Sequence, residues 1–362
     1  MRRAELKIED IAFGGKGVAR ENGKAVFIPF TIDGEKVMAE IVREKKKFAE
    51  AEILDILAPS IHRVTPECPY FSRCGGCRYQ HMNYEHQLAI KWRQVRDVLQ
   101  RIGKLRDIPM RPIVPSPRAY GYRNRITVHV EEGVIGFFRR DSHRLIDVER
   151  CPIAMDEVNQ ALADLRCARP REGHFSLRVD PSGKRVFAQA NDAVASALRE
   201  VVRQSLAGGQ QLLIDAYCGA GFFSKALLDK FERVLGIDWD RFAIQEAERN
   251  ATEKERYIAG DMDRVLADLQ SGALDSIAFA SGSEGRKIAL IVDPPATGLS
   301  DATRRGILKL APQTFLYISC NPATLARDLN AVQPGFTVES VTPLDMFPQT
   351  AEIEVAVHLQ AR

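Results

Sequence analysis

Residues 212–221 read LLIDAYCGAG. The apolar opening through Tyr217 has the character of a buried strand, and Gly219 and Gly221 follow it as a turn. FFSKALLDK (222–230) then reads as a helix. A strand that passes through glycines into a helix lets the backbone approach a ligand closely at the helix N-terminus. The next strand, VLGID (234–238), ends on Asp238, placed to accept hydrogen bonds from a ribose. Two ligand classes compete for such a turn. A nicotinamide or flavin dinucleotide calls for G-x-G-x-x-G, yet the sixth position here is Ser224, and Asp215 directly before the turn would repel a pyrophosphate. A carboxylate at 215 can instead hold the amino end of S-adenosylmethionine, which favours the methyl donor. Tyr217, Gly219 and Gly221 form its loop, and Asp261, after Tyr257-Ile-Ala-Gly260, is placed to meet the adenine.

Outward from this stretch the rhythm of strand and helix continues. ALIVD (289–293) and FLYIS (315–319) read as strands, and 241–249, 301–310 and 322–330 as helices. That alternation predicts a parallel sheet covered on both faces, with FTVESVTPLD and AEIEVAVHLQ as a closing pair of strands. This domain is expected to span 193–362. Residues 5–57 are different: short alternating strands with turns at Gly14–Gly17 and Asn22–Gly23 predict a small closed OB-like barrel, domain 1–58. Between them, 59–192 is expected to form a small mixed central domain. There YEHQLAIKWRQVRDVLQRI (84–102) predicts a helix with Leu88, Trp92, Val95 and Leu99 along one stripe, free to pack on the C-terminal domain, and 122–150 predicts antiparallel strands.

The chain has 362 residues, 45% of them hydrophobic, enough for several cores. No apolar run approaches the roughly 18 residues of a membrane span, and MRRAELKIEDIAF has no signal-peptide core. A soluble, cytoplasmic, monomeric protein is expected. The net charge of +3 is uneven: 59–150 holds 17 Lys/Arg against 9 Asp/Glu, whereas 151–362 holds 23 against 28. A basic middle segment suits a polyanion such as RNA, and Arg118, Arg123, Arg125, Arg139, Arg140 and the loop Lys45–Lys47 are its candidate phosphate contacts. Pairing with nearby carboxylates is the competing fate of these arginines.

Two further strand ends carry chemistry. Asp293-Pro-Pro295 closes one strand, and Ala296 follows where enzymes that methylate exocyclic amines usually place an aromatic residue. Cys320 closes the next, in Ser319-Cys-Asn-Pro322. Lone cysteines are usually buried structure. At a helix start, however, the amides are expected to lower a thiol pKa and supply a thiolate nucleophile. Carbon 5 of uracil needs such a partner, because thiolate addition at carbon 6 turns the ring into an enolate that can attack a sulfonium methyl. A base must then take the proton from carbon 5, and Glu354, or second to it Glu352, can supply that carboxylate.

Seven cysteines without an export signal argue against a disulfide framework. Cys68-x5-Cys74-x2-Cys77 forms a tight loop, with Cys151 as a plausible fourth thiolate, and this set suits either a 4Fe–4S cluster or a structural zinc.

Taken together these motifs resemble the RNA 5-methyluridine methyltransferases, in particular their large-subunit ribosomal RNA branch. The likeness runs nearly end to end: a TRAM-like barrel at 5–57, the stretch Arg63 through CGGC (74–77) and Gln80-His81, FAQAN (187–191), DAYCGAG, DPP, SCNPATLARDL and DMFPQTAEIE. The resemblance implies an iron–sulfur cluster rather than zinc on Cys68, Cys74, Cys77 and Cys151, and a methyl-donor contact from Gln189. It implies a class I, Rossmann-like methyltransferase domain with Cys320 as nucleophile and Glu354 as base. Asp293 would help hold the uracil and border the donor, and Arg123 and Arg125 the RNA. Ribosomal RNA is implied over transfer RNA, whose bacterial-type enzymes usually lack both the barrel and the cysteine loop. Three departures stand out: Ala296 where the family usually has Arg, Glu352 where it usually has His, and a short segment between Cys151 and Gln189. They leave the reacting groups in place and bear on which RNA is recognised. The rival readings are a non-catalytic RNA-binding protein that keeps the fold, and a nucleotide-dependent oxidoreductase with a cluster. Cys320, Glu354 and Asp215 weigh against both.

Overall fold

The computed structural model describes residues 2–179, 189–206, 210–249, 251–273 and 287–362. Five N-terminal strands, β1 (Arg2–Ile11), β2 (Lys16–Glu21), β3 (Lys24–Pro29), β4 (Lys36–Glu44) and β5 (Phe48–Ala58), close into a barrel in the order β1-β2-β3-β5-β4. Period-two alternation sends Leu6, Ile8, Val26, Ile28, Val37 and Ala39 inward. Asn22 and Gly23, both at positive φ (50° and 79°), make the two-residue hairpin turn whose twist matches its strands.

Helix α1 (Tyr84–Arg101) starts at Asn83, whose side chain accepts from the His86 amide. Its buried face differs from the apolar stripe. Val95 and Leu99 are buried as expected, but Leu88 and Trp92 are only half-buried, and Gln87, Lys91 and Gln94 lie inside instead. Polar partners on neighbouring segments draw those three inward. The helix serves two cores at once: Ile90 joins the barrel core, while Val95 and Leu99 join the core of the C-terminal sheet.

A four-stranded antiparallel sheet follows, β6 (Arg125–Glu131), β7 (Val134–Phe138), β8 (Leu145–Asp147) and β9 (Gly173–Arg178), in the order β8-β7-β6-β9. Helix α2 (Asp156–Cys167), not foreseen in the sequence, packs Val158 and Leu162 on its inner side against Ile126, Val128 and Val130. The middle of the chain is therefore not one separate body. Its sheet has a core of its own, whereas α1 is a strut between the barrel and the C-terminal domain.

The C-terminal domain contains α3 (Asp192–Ser205), β10 (Gln210–Ala216), β11 (Phe231–Asp238), α4 (Arg241–Glu248), β12 (Glu255–Ala259), α5 (Met262–Gln270), β13 (Ile288–Val292), α6 (Asp301–Leu310), β14 (Thr314–Ser319), α7 (Pro322–Val332), β15 (Phe336–Leu344) and β16 (Glu354–Ala361). The sheet order is β12-β11-β10-β13-β14-β16-β15, parallel up to β14, with β16 antiparallel to both of its neighbours. Apolar clusters cover both faces, as the unbroken runs in β13 and β14 require. The helix expected over 222–230 is reduced to one 3-10 turn at Lys225–Leu227. Asp215 captures both the Ser224 amide and its hydroxyl, which ties the chain to the end of β10 and shapes it as a loop.

Candidate active site

The carboxyl ends of β10, β11 and β13 frame two cavities that share Tyr217. The larger, about 620 Å³, is lined by Gln189, Tyr217, Gly219, Gly221 and Asp293 among others. The smaller, about 190 Å³, is lined by Tyr217, Asp238, Trp239, Asp261 and Met262. Tyr217 (φ 63°) and Gly219 (φ 55°) take left-handed conformations that turn the chain at the sheet edge. Gly221 is needed for space as well, since a Cβ there would lie 2.9 Å from the Tyr257 hydroxyl. Asp238 accepts from the Gly219 amide at 2.8 Å and from the Asp240 amide at 2.9 Å, so it fixes the loop while lining the cavity. Asp261 caps α5, accepting from the amides of Asp263 and Arg264. Phe187, part of the FAQAN motif, lies outside the described residues, whereas Gln189 reaches the larger cavity.

Asp215 stands elsewhere. It is fully buried behind the loop, lines neither cavity, and burial raises its pKa to about 6. It was expected at the donor's amino end; here its Oδ2 holds the loop through Ser224, and its Oδ1 has no hydrogen-bond partner among the described residues. Trp239, 78% exposed at the mouth of the smaller cavity, was not anticipated. Its position directly after Asp238, at the end of β11, was the available signal.

A second group gathers where β13, β14 and β16 end or begin. Cys320 follows β14, and Asn321 caps α7 by accepting from the Ala323 amide, with Pro322 in the first turn. The antiparallel register sets Ser319 opposite Val355, which brings Glu354 alongside Cys320. Glu354 is buried, and its Oε1 has no hydrogen-bond partner among the described residues, while Glu352 is exposed. Burial, then the charges of Asp293 and Glu352, hold the Glu354 carboxyl well above the usual range. Asp293 is pushed up to about 7 by burial and by Asp215 and Asp238.

The Cys320 thiol moves opposite to expectation. Burial first, then Glu354 and Asp293, push it up to about 11. Desolvation and two carboxylates outweigh a helix whose first residue, Pro322, has no N–H and whose Ala323 amide is already committed to Asn321. Behind this corner, buried Asp328 accepts from the Leu299 amide and the Tyr317 hydroxyl and pairs with Arg304 and Arg327. The Ala296 carbonyl accepts from Asn321 Nδ2 and the Thr324 hydroxyl, so the loop after Pro295 is held through its backbone.

Cys68, Cys74, Cys77 and Cys151 line one cavity of about 520 Å³ with Arg123, His129, Arg139 and Arg140 among its walls. Burial raises all four thiols, Cys77 to about 12 and Cys151 to about 11. Backbone amides of Tyr70 and Phe71 face Cys68, and those of Ile153 and Ala154 face Cys151. Among the described residues, no three His, Cys, Asp or Glu side chains converge as a single-ion site. Of the predicted phosphate contacts, Arg139 pairs with Asp141 and Arg140 with Glu52, the latter guanidinium also lying over the Phe30 ring. Arg123 donates to the Arg125 carbonyl and lies 6.0 Å from the Phe347 ring centroid. Burial and the charges of Arg178 and Arg123 lower the Arg125 pKa. No helix among the described residues is long and apolar enough to cross a membrane.

Residues 181–362 match the family described as tRNA (uracil-5-)-methyltransferase, and residues 2–54 match the TRAM domain. An RNA methyltransferase of Aquifex aeolicus is 30% identical, the match covering 99% of this chain and 98% of the relative. Another, of Halalkalibacterium halodurans, is 29% identical over 99% of this chain and 97% of the relative. Among solved structures, the Pyrococcus abyssi tRNA (uracil-54, C5)-methyltransferase in complex with S-adenosyl-L-homocysteine superposes with a TM-score of 0.74 at 23% identity, covering 98% of this chain and 100% of that one. With its barrel and its glycine-turned sheet edge, the chain belongs to the tRNA (uracil-5-)-methyltransferase family and is an S-adenosylmethionine-dependent RNA methyltransferase.

Proposed function

We propose that the protein methylates carbon 5 of a uridine in RNA through a covalent adduct between Cys320 and carbon 6. The observation that carries this is the meeting of Cys320, Glu354 and Asp293 on three adjacent strand ends beside the larger donor cavity. Gln189, Tyr217, Gly219 and Gly221 cradle the donor's methionine half, and Asp238 and Asp261 face its adenosine half. A paired or stacked uridine hides carbon 6, so the base is flipped into the corner, where Asp293 holds its edge. At a pKa near 11 the free thiol is protonated, so its proton passes to solvent as the pocket fills, and the raised Glu354 carboxyl must give up its proton in the same way before it acts as base. The donor's sulfonium cation favours the thiolate by adding positive charge to a site rich in carboxylates. The thiolate adds to carbon 6, and the electron pair at carbon 5 takes the methyl from sulfur. Glu354 then removes the carbon 5 proton, the double bond re-forms, and the thiolate leaves. A dry carboxyl with a raised pKa is a strong base once ionised, and Glu354 stands alongside Cys320 whereas Glu352 is exposed, which favours Glu354 for this step.

The four thiols fit a 4Fe–4S cluster. They share one cavity, backbone amides face the Cys68 and Cys151 sulfurs, and the buried Gln80 side chain faces those of Cys68 and Cys77. Cys68, Cys74, Cys77 and Cys151 would hold it, and it would supply a rigid cross-link between the cysteine loop and the β6–β9 sheet. Ribosomal RNA is the first candidate target. Transfer RNA is a second reading, favoured by the likeness to the Pyrococcus abyssi enzyme over the full length of both chains.

The chemistry is tested with Glu354→Gln, which should accumulate a protein–RNA adduct stable on denaturing gels, while Cys320→Ala should form none. Adduct with Glu352→Gln and none with Glu354→Gln would reassign the base. Mapping 5-methyluridine in ribosomal and transfer RNA from a strain lacking the gene decides the target.

A further inference from the structure

The carboxylate read above as the base sits at the end of an irregular connection, and what holds that connection lies far away in the chain. Leu344 on β15 pairs with Glu354 on β16, so residues 345–353 form a closed loop between them. Its internal support is slight: the Thr350 amide and hydroxyl donate to the Phe347 carbonyl, and the Glu352 amide donates to the Thr350 hydroxyl. Beyond neighbouring Leu344, the hydrogen bonds to residues 345–350 recorded among the described residues all come from 78–122. Lys91 Nζ donates to Asp345 Oδ1 at 2.6 Å and to the Phe347 carbonyl at 2.9 Å. Gln87 and Gln349 exchange two bonds, each of 3.0 Å, one through the Gln349 amide. The amides of Arg78 and Tyr79 donate to the Gln349 carbonyl, Tyr122 donates to the Pro348 carbonyl, and the Asp345 amide donates to the Val114 carbonyl.

Two features of this contact set are poor choices for stability alone. Lys91 and Asp345 are both fully buried, so two charges are held out of water to make one contact between α1 and the loop. Apolar residues of similar volume usually stabilise as well or better in such a place. Gln349 is held at φ 68°, a left-handed conformation that a side chain beyond Cβ disfavours, and its partners are what maintain it. Polar and strained features retained in one loop define a shape, and the shape they define delivers Glu354.

We propose that Lys91 and Gln87 on α1 are positioning residues for the proton-abstraction step: through Asp345 and Gln349 they hold the 345–350 loop so that Glu354 stands beside Cys320. The inference rests on Glu354 being the base. It also ties the cysteine loop to catalysis, because Arg78 and Tyr79, directly after Cys77, grip the same carbonyl of Gln349.

The test uses the full chain, S-adenosylmethionine, and ribosomal and transfer RNA prepared from a strain lacking the gene. Gln87→Leu and Lys91→Met should each lower kcat roughly 10–100-fold, the scale of a misplaced reacting group. Both should raise the fraction of protein found as RNA adduct during turnover, with the donor Kd changed less than about 2-fold, a small effect expected because neither residue lines a donor cavity. A role in stability alone would lower Tm without moving that partition. The double variant Lys91→Met/Asp345→Leu removes the buried charge, and it should recover Tm yet retain slow adduct breakdown. Recovery of both Tm and turnover in the double variant, or wild-type turnover in Gln87→Leu, overturns the proposal. Glu354→Gln separates the two readings. If it forms no adduct while wild type makes product, the assignment of the base fails and the positioning role falls with it. If it does and Gln87→Leu does not, only the positioning role fails.

Discussion

The two cavities proposed to hold the donor and the corner proposed to hold the uracil lie along the same sheet edge but are assembled differently. Apart from Gln189 and Asp293, the groups named around the two cavities come from 217–262, each placed by its own strand end, glycine turn or helix start. Asp293, Cys320 and Glu354 come from three separate strands, and the loop behind Glu354 is gripped by residues 254 and 262 positions away. A pocket built from local geometry tolerates change elsewhere in the chain. A corner built from distant polar contacts does not, and its electrostatics are set by burial rather than by motif.

The largest separation between the two regions should come from Cys320→Ala. It should lower kcat by at least about 10⁴-fold, the scale on which covalent nucleophiles fail, and leave donor affinity nearly intact. Isothermal titration with S-adenosylmethionine beside a methyl-incorporation assay measures both, and residual activity within 100-fold of wild type would remove Cys320 from the mechanism (about 100-fold being reachable without a nucleophile). Asp238→Ala reverses the pattern: donor Kd should rise about 10–100-fold, for a lost charge-assisted hydrogen bond, with kcat at saturation little changed. An equal fall in kcat would mean that the two regions are not separable.

A smaller effect is expected in stability. The folded-state pKa of Asp293, about 7, lies above its ordinary value, so between roughly pH 4 and 7 the native state binds more protons than the unfolded chain. Stability therefore falls as pH rises through that window, and the cost is complete above it. Asp293→Asn should escape it and gain about 1–2 kcal/mol relative to wild type at pH 8 compared with pH 5, a figure reduced because Asp293 opens onto the cavity. Denaturant unfolding without RNA measures it, and a gain independent of pH would contradict a raised pKa. The smallest effect belongs to Trp239→Ala, which should weaken donor binding about 3–10-fold through lost aromatic contact. No change would place Trp239 outside the donor site.

The same contrast explains how much could be read from the chain. Asp238, Asp261, Gly219 and Gly221 were legible as candidate pocket residues because each stands at or just after a strand end, and the structure places each at one of the two cavities. The helix expected at 222–230 fails because the Asp215–Ser224 contact outranks helical periodicity there. The buried face of α1 was misread in part for a related reason. Hydropathy favoured Leu88 and Trp92, and nothing within the helix shows that Gln87 and Lys91 have partners at Gln349 and Asp345. The thiol of Cys320 was expected to be acidified by a helix start, but burial first, and then the carboxylates arriving from β13 and β16, reverse that.

The amino-acid sequence by itself determined the barrel, the succession of strands on either side of the glycine turn and the residues at the strand ends, because period-two burial, glycine turns and caps act over a few residues. Only the tertiary structure decided that Asp215 serves the loop and not the cavity, that Glu354 is dry while Glu352 is exposed, and that four thiols share one chamber. These properties depend on which distant groups exclude water from a side chain or bring charge beside it, and desolvation is a property of the packed neighbourhood.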